Sequence, residues 1–153
     1  MNASLYIEVK PSPSEGLGIY ACREFRNGDH LLDVIFEREI TESSPLDIQL
    51  GERSDHCSYP NGKMMLVAFP TRHMNHSCDP NSYYVNRSEM PKAYARRTIL
   101  VGEELTFDYM INNFGGDSWA CSCGSERCRG ETGTSYFELP IVFQREYYPL
   151  LSD

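Results

Sequence analysis

Turn-forming residues interrupt this chain about every 8–12 residues, and no helical periodicity lasts more than a few turns, so the sequence predicts a mainly β fold of short strands. An alternating run over residues 5–9 is ended by Pro11 and Pro13, because proline has no N–H to give to a ladder. Gly16-Leu17-Gly18 reads as a tight turn into a strand at residues 19–21. Arg26-Asn27-Gly28-Asp29 signals a hairpin ahead of one apolar strand over residues 31–36. Residues 41–55 are polar and irregular, with at most one helical turn. Residues 63–69, 83–85, 93–97 and 105–109 read as further strands, with loops expected at 88–91 and 112–117. Only residues 139–151 carry weakly helical spacing, which predicts one short C-terminal docking helix.

A chain of 153 residues fits one domain and can bury a real core without covalent staples. Its formal net charge of −8 argues against a sequence-independent grip on nucleic acid, which needs a basic stripe. The same charge suits a basic peptide partner by long-range attraction, and suits plain solubility equally well. No apolar run approaches the ~20 residues of a membrane span, and the first residues lack the basic and apolar regions of a secretory signal. The expectation is an intracellular protein with neither membrane nor direct nucleic-acid contact.

The six cysteines are unevenly placed. Cys22 and Cys57 stand alone, Cys78 lies beside a histidine, and Cys121, Cys123 and Cys128 crowd together near the C-terminus. In a reducing compartment such a cluster points to metal or catalysis before disulfides. Zinc favours four tetrahedral ligands, and thiolates supply both charge and softness. A Cys-x-Cys turn followed by a loop containing Gly124 can bring three sulfurs onto one ion. A structural site needs a fourth ligand, for which Cys78, His76, Cys57 and Cys22 are candidates by chemistry.

Two further segments are dense in hydrogen-bonding side chains. Asn75-His76-Ser77-Cys78-Asp79-Pro80-Asn81 resembles the signature of the SET-domain protein lysine methyltransferases, and Gly102-Glu103-Glu104-Leu105-Thr106-Phe107-Asp108-Tyr109 resembles their second signature. Gly16-Leu17-Gly18-Ile19-Tyr20 is similar to the family's N-terminal Gly-x-Gly turn. Cys121-x-Cys123-x4-Cys128-Arg129-Gly130 is similar to its post-SET zinc motif. The four motifs occur in the family's order. No pre-SET cysteine region is present, residues 36–72 match poorly, and His73 stands where Phe is common. The compact length looks like the short stand-alone members.

The resemblance implies a SET fold of small curved β-sheets with a C-terminal pseudoknot and a short C-terminal helix. It divides the chain into a SET domain (1–110), a post-SET zinc-binding segment (111–133) and a C-terminal docking tail (134–153). It implies transfer of a methyl group from S-adenosylmethionine to a lysine of a protein or peptide, a histone tail or another protein. Tyr109 would be the catalytic residue; Leu17, Gly18, Asn75, His76 and, more weakly, Tyr59 would bind the cofactor. The zinc ligands would be Cys78, Cys121, Cys123 and Cys128. Phe107 would line the lysine channel and, lacking a hydroxyl, leave room to go beyond monomethylation. Trp119 could cover the adenine or the lysine channel, or simply pack beside the zinc. The competing reading is a SET-fold binding module that keeps zinc and has lost turnover. A zinc-dependent nucleic-acid binder fits the cysteines but not the charge.

Overall fold

The computed structural model describes residues 6–86, 90–111 and 117–151. Leu5 of the first expected strand, and residues 88–89 and 112–116 of the expected loops, lie outside them. The strands are β1 (Ile7–Pro11), β2 (Leu17–Ala21), β3 (His30–Asp33), β4 (Phe36–Glu39), β5 (Cys57–Ser58), β6 (Met65–Val67), β7 (Asn75–His76), β8 (Ser82–Val85), β9 (Lys92–Ala95) and β10 (Glu104–Phe107), with one α-helix, α1 (Ile141–Tyr147). They form three small sheets, ordered β1-β2-β10-β7, β3-β9-β8 and β4-β6-β5. The mainly β expectation with one short C-terminal helix therefore holds.

The first sheet positions the site. β1 and β2 form an antiparallel hairpin that sets Val9 opposite Ile19. Its turn contains Gly16 at φ +47°, a left-handed conformation that glycine adopts without penalty. β10 then lies between β2 and β7, antiparallel to the first and parallel to the second. The sheet thus joins a late strand to an early hairpin on one side and to a middle segment on the other.

The single strand expected over residues 31–36 is instead two. Leu31 and Leu32 are successive residues, yet both are buried at 2 % exposure, so this short strand is covered on both faces. Its pairing with β9 also shifts register between His30 and Leu32. The chain then leaves that sheet, and β4 pairs with β6 in another. Residues 41–55 hold two short 3-10 turns, Ile48–Leu50 and Ser54–His56, rather than at most one.

Two apolar clusters form the core. One gathers Ile19, Phe25, Ile99 and Leu105 among others beneath the first and second sheets. Ile19 is fully buried, and Ile19→Val should destabilise the protein by about 1 kcal/mol. A denaturation midpoint unchanged by that substitution would mean that the neighbours collapse around the missing methylene. The second cluster packs Phe143 and Tyr147 of α1, four residues apart and so on one face, against Met110 and Ile111. The C-terminal helix is thereby seated directly behind Tyr109. Among the described residues no helix is long and apolar enough to cross a membrane.

Candidate active site and metal centre

β7 is only two residues long, yet its parallel pairing fixes Asn75 beside Thr106 and His76 beside Phe107. Asn81, 3 % exposed, completes the join. Its side-chain amide donates to the Glu104 carbonyl (2.8 Å) and accepts from the Thr106 N–H (2.9 Å), standing in for a strand's ladder. Ser82 Oγ donates to the Thr106 carbonyl at 2.6 Å. The two signature segments are thus joined at both ends of one turn.

Asn75 points toward the Gly-x-Gly turn. Its Nδ2 donates toward the Glu104 carboxylate (2.8 Å), the Leu17 carbonyl (3.0 Å) and the Glu15 carbonyl (3.1 Å). Leu17 is 42 % exposed at that turn, while Gly18 is buried beneath it. The structure therefore brings Leu17, Gly18, Asn75 and His76 together.

His76 braces the segment that carries Tyr109. Its Nδ1 accepts the Tyr109 backbone N–H at 3.2 Å, so Nε2 carries the proton and faces the Cys78 sulfur at 3.4 Å. Burial pushes its pKa down to about 4, which outweighs the opposing pull of Asp108, so the ring is neutral and keeps this tautomer. Both ring nitrogens are engaged with protein.

Tyr109 follows β10, its side chain enclosed by aromatic rings. Phe107 lies 4.7 Å, His76 5.0 Å and Trp119 6.5 Å away, centroid to centroid. Phe107 in turn rests 4.3 Å from the ring of Tyr84. The Tyr109 hydroxyl donates to the Met74 carbonyl at 3.5 Å, a long bond that leaves it available to a better partner. Burial, then the negative charges of Asp55 and Glu15, push its pKa upward, so at neutral pH it is a protonated phenol. Trp119 stands half out of the wall at 47 % exposure. Tyr59, 60 % exposed at the turn before Pro60, makes no described contact with this group.

Behind it the four expected thiols converge. The sulfurs of Cys78, Cys121, Cys123 and Cys128 all lie within 4.8 Å of one another, and Cys78 and Cys121 are 3.7 Å apart. A tetrahedral zinc with Zn–S bonds near 2.3 Å sets its sulfurs about 3.8 Å apart, so the donor set fits that ion. Cys22 and Cys57 are not part of the group. Burial raises the thiols of Cys78, to about 11, and of Cys121. Burial also opposes ionisation of Cys123, but hydrogen bonds from the backbone of Cys78 and Ser125 bring it down to about 6.

One buried ion pair ties this cluster to the signature segment. Arg129 grips Asp108 with two bonds of 2.6 and 2.9 Å, and the Tyr147 hydroxyl of α1 donates to the same carboxylate at 3.0 Å. The Met110 N–H supplies a further bond at 3.0 Å. Sequence reasoning quoted Asp108, Arg129 and Asn81 only as letters of motifs. No local signal reveals that the first two meet across 21 residues, although a buried Asp demands some such partner. A cleft of about 410 Å³ opens beside the site, with His76, Glu104, Ser14 and Cys123 in its walls; Tyr109 and Leu17 are not among them.

The arrangement is that of a SET domain, and the chain belongs to that family: its sequence model matches residues 16–110. Among curated relatives, the histone-lysine N-methyltransferase ash1 of Drosophila melanogaster is 28 % identical over 140 residues, covering 83 % of this chain and 6 % of that protein. The histone-lysine N-methyltransferase ASHH2 of Arabidopsis thaliana is 28 % identical over 156 residues, covering 92 % of this chain and 9 % of its own length. An H3 lysine-36-specific histone-lysine N-methyltransferase of Mycosarcoma maydis reaches 39 % over 66 residues, covering 40 % of this chain and 7 % of that protein. The chain thus spans less than a tenth of these three relatives. A Plasmodium falciparum protein assigned as a histone methyltransferase shares the fold, with TM-score 0.54 at 18 % identity over 68 % of this chain and 92 % of that one.

Proposed function

We propose that this protein transfers a methyl group from S-adenosylmethionine to a lysine side chain of a protein, a histone tail or another polypeptide, with a zinc ion held by Cys78, Cys121, Cys123 and Cys128. The observation that carries the reading is the protonated Tyr109 phenol, enclosed by Phe107, His76 and Trp119 within the junction of the two signatures. When bound, the cofactor supplies an electrophilic methyl on a sulfonium: the lysine nitrogen's lone pair forms the new N–C bond, and the C–S electrons stay on sulfur as a thioether.

The chain's own residues would do three things. The rings of Phe107, Tyr109 and Trp119 would admit the lysine's apolar stem and disfavour its ammonium, since a free lysine titrates near pH 10.4 and burial lowers that value. The Tyr109 hydroxyl would turn from the Met74 carbonyl to orient the reacting groups; alignment of this kind contributes roughly 7–11 kcal/mol in favourable cases. The turn at Leu17 and Gly18, tied by Asn75 and seated on the β7–β10 pair with His76, would hold the cofactor's amino-acid and adenine portions against backbone. Trp119 serves the lysine side in this reading, given its ring beside Tyr109. Tyr59 would reach the cofactor only by moving inward.

The decisive experiment is labelled-methyl transfer onto core histones and a cell lysate, followed by mapping of the modified residue. Label on lysine supports the proposal. Calorimetric binding of the cofactor with no transfer to any substrate would favour the inactive binding module instead. The lack of a hydroxyl at Phe107 also sets an expectation for the product. Mass spectrometry should find dimethyl- or trimethyl-lysine at long times, and Phe107→Tyr should shift the product toward monomethyl-lysine. Monomethyl-lysine alone from the unaltered protein would refute that expectation.

A further inference from the structure

Glu104 occupies the space where a side chain at residue 18 would stand. A Cβ built on Gly18 falls 2.2 Å from Oε1 and 2.8 Å from Cδ of Glu104. Gly18 is not among the glycines of positive φ, so its backbone alone does not demand glycine. Gly16 is the opposite case: its φ is +47° and nothing lies within 4 Å of its absent Cβ. The first glycine makes the turn, and the second makes room for a carboxylate.

That carboxylate binds three elements at once. Oε1 accepts from Asn75 Nδ2 at 2.8 Å. Oε2 accepts from Ser12 Oγ at 2.9 Å and from the Tyr20 hydroxyl at 3.3 Å. Ser12 belongs to the turn, Tyr20 to β2 and Asn75 to β7. The neighbouring Glu103 cannot substitute, because it pairs with Arg97 and caps the Leu100 N–H.

We propose that Glu104 is a positioning residue for the cofactor site: admitted by the missing side chain at Gly18, it locks the Gly16–Gly18 turn to Asn75 and holds that face in shape before any ligand arrives. The inference rests on the methyl-donor reading above. Such pre-organisation acts on affinity, because a loosened turn must be re-ordered at the expense of binding. The effect is expected on binding and not on the chemical step, because the described contacts of the Glu104 carboxylate are with Asn75, Ser12 and Tyr20 and not with Tyr109.

The test is a double-mutant cycle between residues 18 and 104, read by calorimetric affinity for S-adenosylmethionine, with zinc content and thermal melting as checks of folding. Glu104→Ala should weaken cofactor binding at least about 10-fold, since a charged acceptor is lost, while kcat at saturating cofactor changes less than about threefold. Gly18→Ala should cost at least about 10-fold when Glu104 is present and less than about threefold in the Glu104→Ala background. Glu104→Asp keeps the charge but withdraws it by one methylene. It should bind cofactor weakly by itself yet ease the Gly18→Ala penalty, and it carries the cycle if Glu104→Ala does not fold. Additive losses in these pairs, or unchanged affinity in Glu104→Ala, would overturn the inference while leaving the methyl-donor reading intact. An unaltered protein that binds no cofactor would sink both.

Discussion

Replacing Tyr109 by phenylalanine is expected to lower turnover on the order of 100-fold, the loss typical of one oriented polar group removed from a reacting centre. The ring contacts to Phe107, His76 and Trp119 survive the substitution, so packing changes little. The backbone N–H that His76 accepts is also retained. What disappears is a hydroxyl whose only described partner is a carbonyl at 3.5 Å. Melting temperature, metal content and cofactor affinity should therefore stay close to those of the unaltered protein, and the loss should fall on kcat. The upward shift of the phenol by burial and by the nearby negative charges of Asp55 and Glu15 decides its part in the chemistry. In the proposed mechanism it would act as a hydrogen-bond donor and oriented dipole, and the lysine's proton would leave by another route. Full activity in Tyr109→Phe would remove this residue from the mechanism.

The residues that the sequence makes visible are those with local chemistry. Gly16 marks the turn of the first hairpin because it tolerates a left-handed conformation, whereas Pro11, expected to end the first strand, is its last residue and pairs with Leu17. The three clustered cysteines announce a metal site by composition, and Phe143 and Tyr147 announce the docking helix by spacing. Harder to read is anything set by a partner far along the chain. The strand expected over residues 31–36 breaks because β4 finds β6, and no feature of Val34 or Ile35 foretells that exchange. β7 is two residues long and exists only through its pairing with β10. Gly18 illustrates the limit most clearly. The sequence marks it as part of a tight turn, but the side chain that leaves no room for a Cβ there is that of Glu104, 86 residues on, and only the folded chain reveals it. Likewise His76 and Asn75 are conspicuous as polar side chains, yet the structure engages them with Cys78, Tyr109, Leu17 and Glu104.

Stripping the metal with a strong chelator is expected to abolish turnover and to release the segment that carries Trp119, both reversed by added zinc. Structural zinc sites contribute folding free energy outright, about 10–16 kcal/mol in small peptides at neutral pH. Here the ion would join Cys78, part of the first signature, to three thiols of the C-terminal loop, and that loop also supplies Arg129 to Asp108. If the loop departs, Asp108 keeps the Tyr147 hydroxyl but loses its cation; stranding a buried charge in this way typically costs about 3–5 kcal/mol. Loss of the metal should therefore loosen α1 as well, through the same carboxylate. Trp119 is the chain's single tryptophan and lies two residues before Cys121, so its emission should shift to the red as the wall beside Tyr109 opens. Among point variants, Cys78→Ser should act most severely, since it is buried and is the one ligand outside the loop, whereas Cys128→Ser at the exposed edge should only weaken metal retention. The result that would dismantle this account is a protein from which chelator withdraws one equivalent of zinc while methyl transfer and Trp119 emission stay as they were.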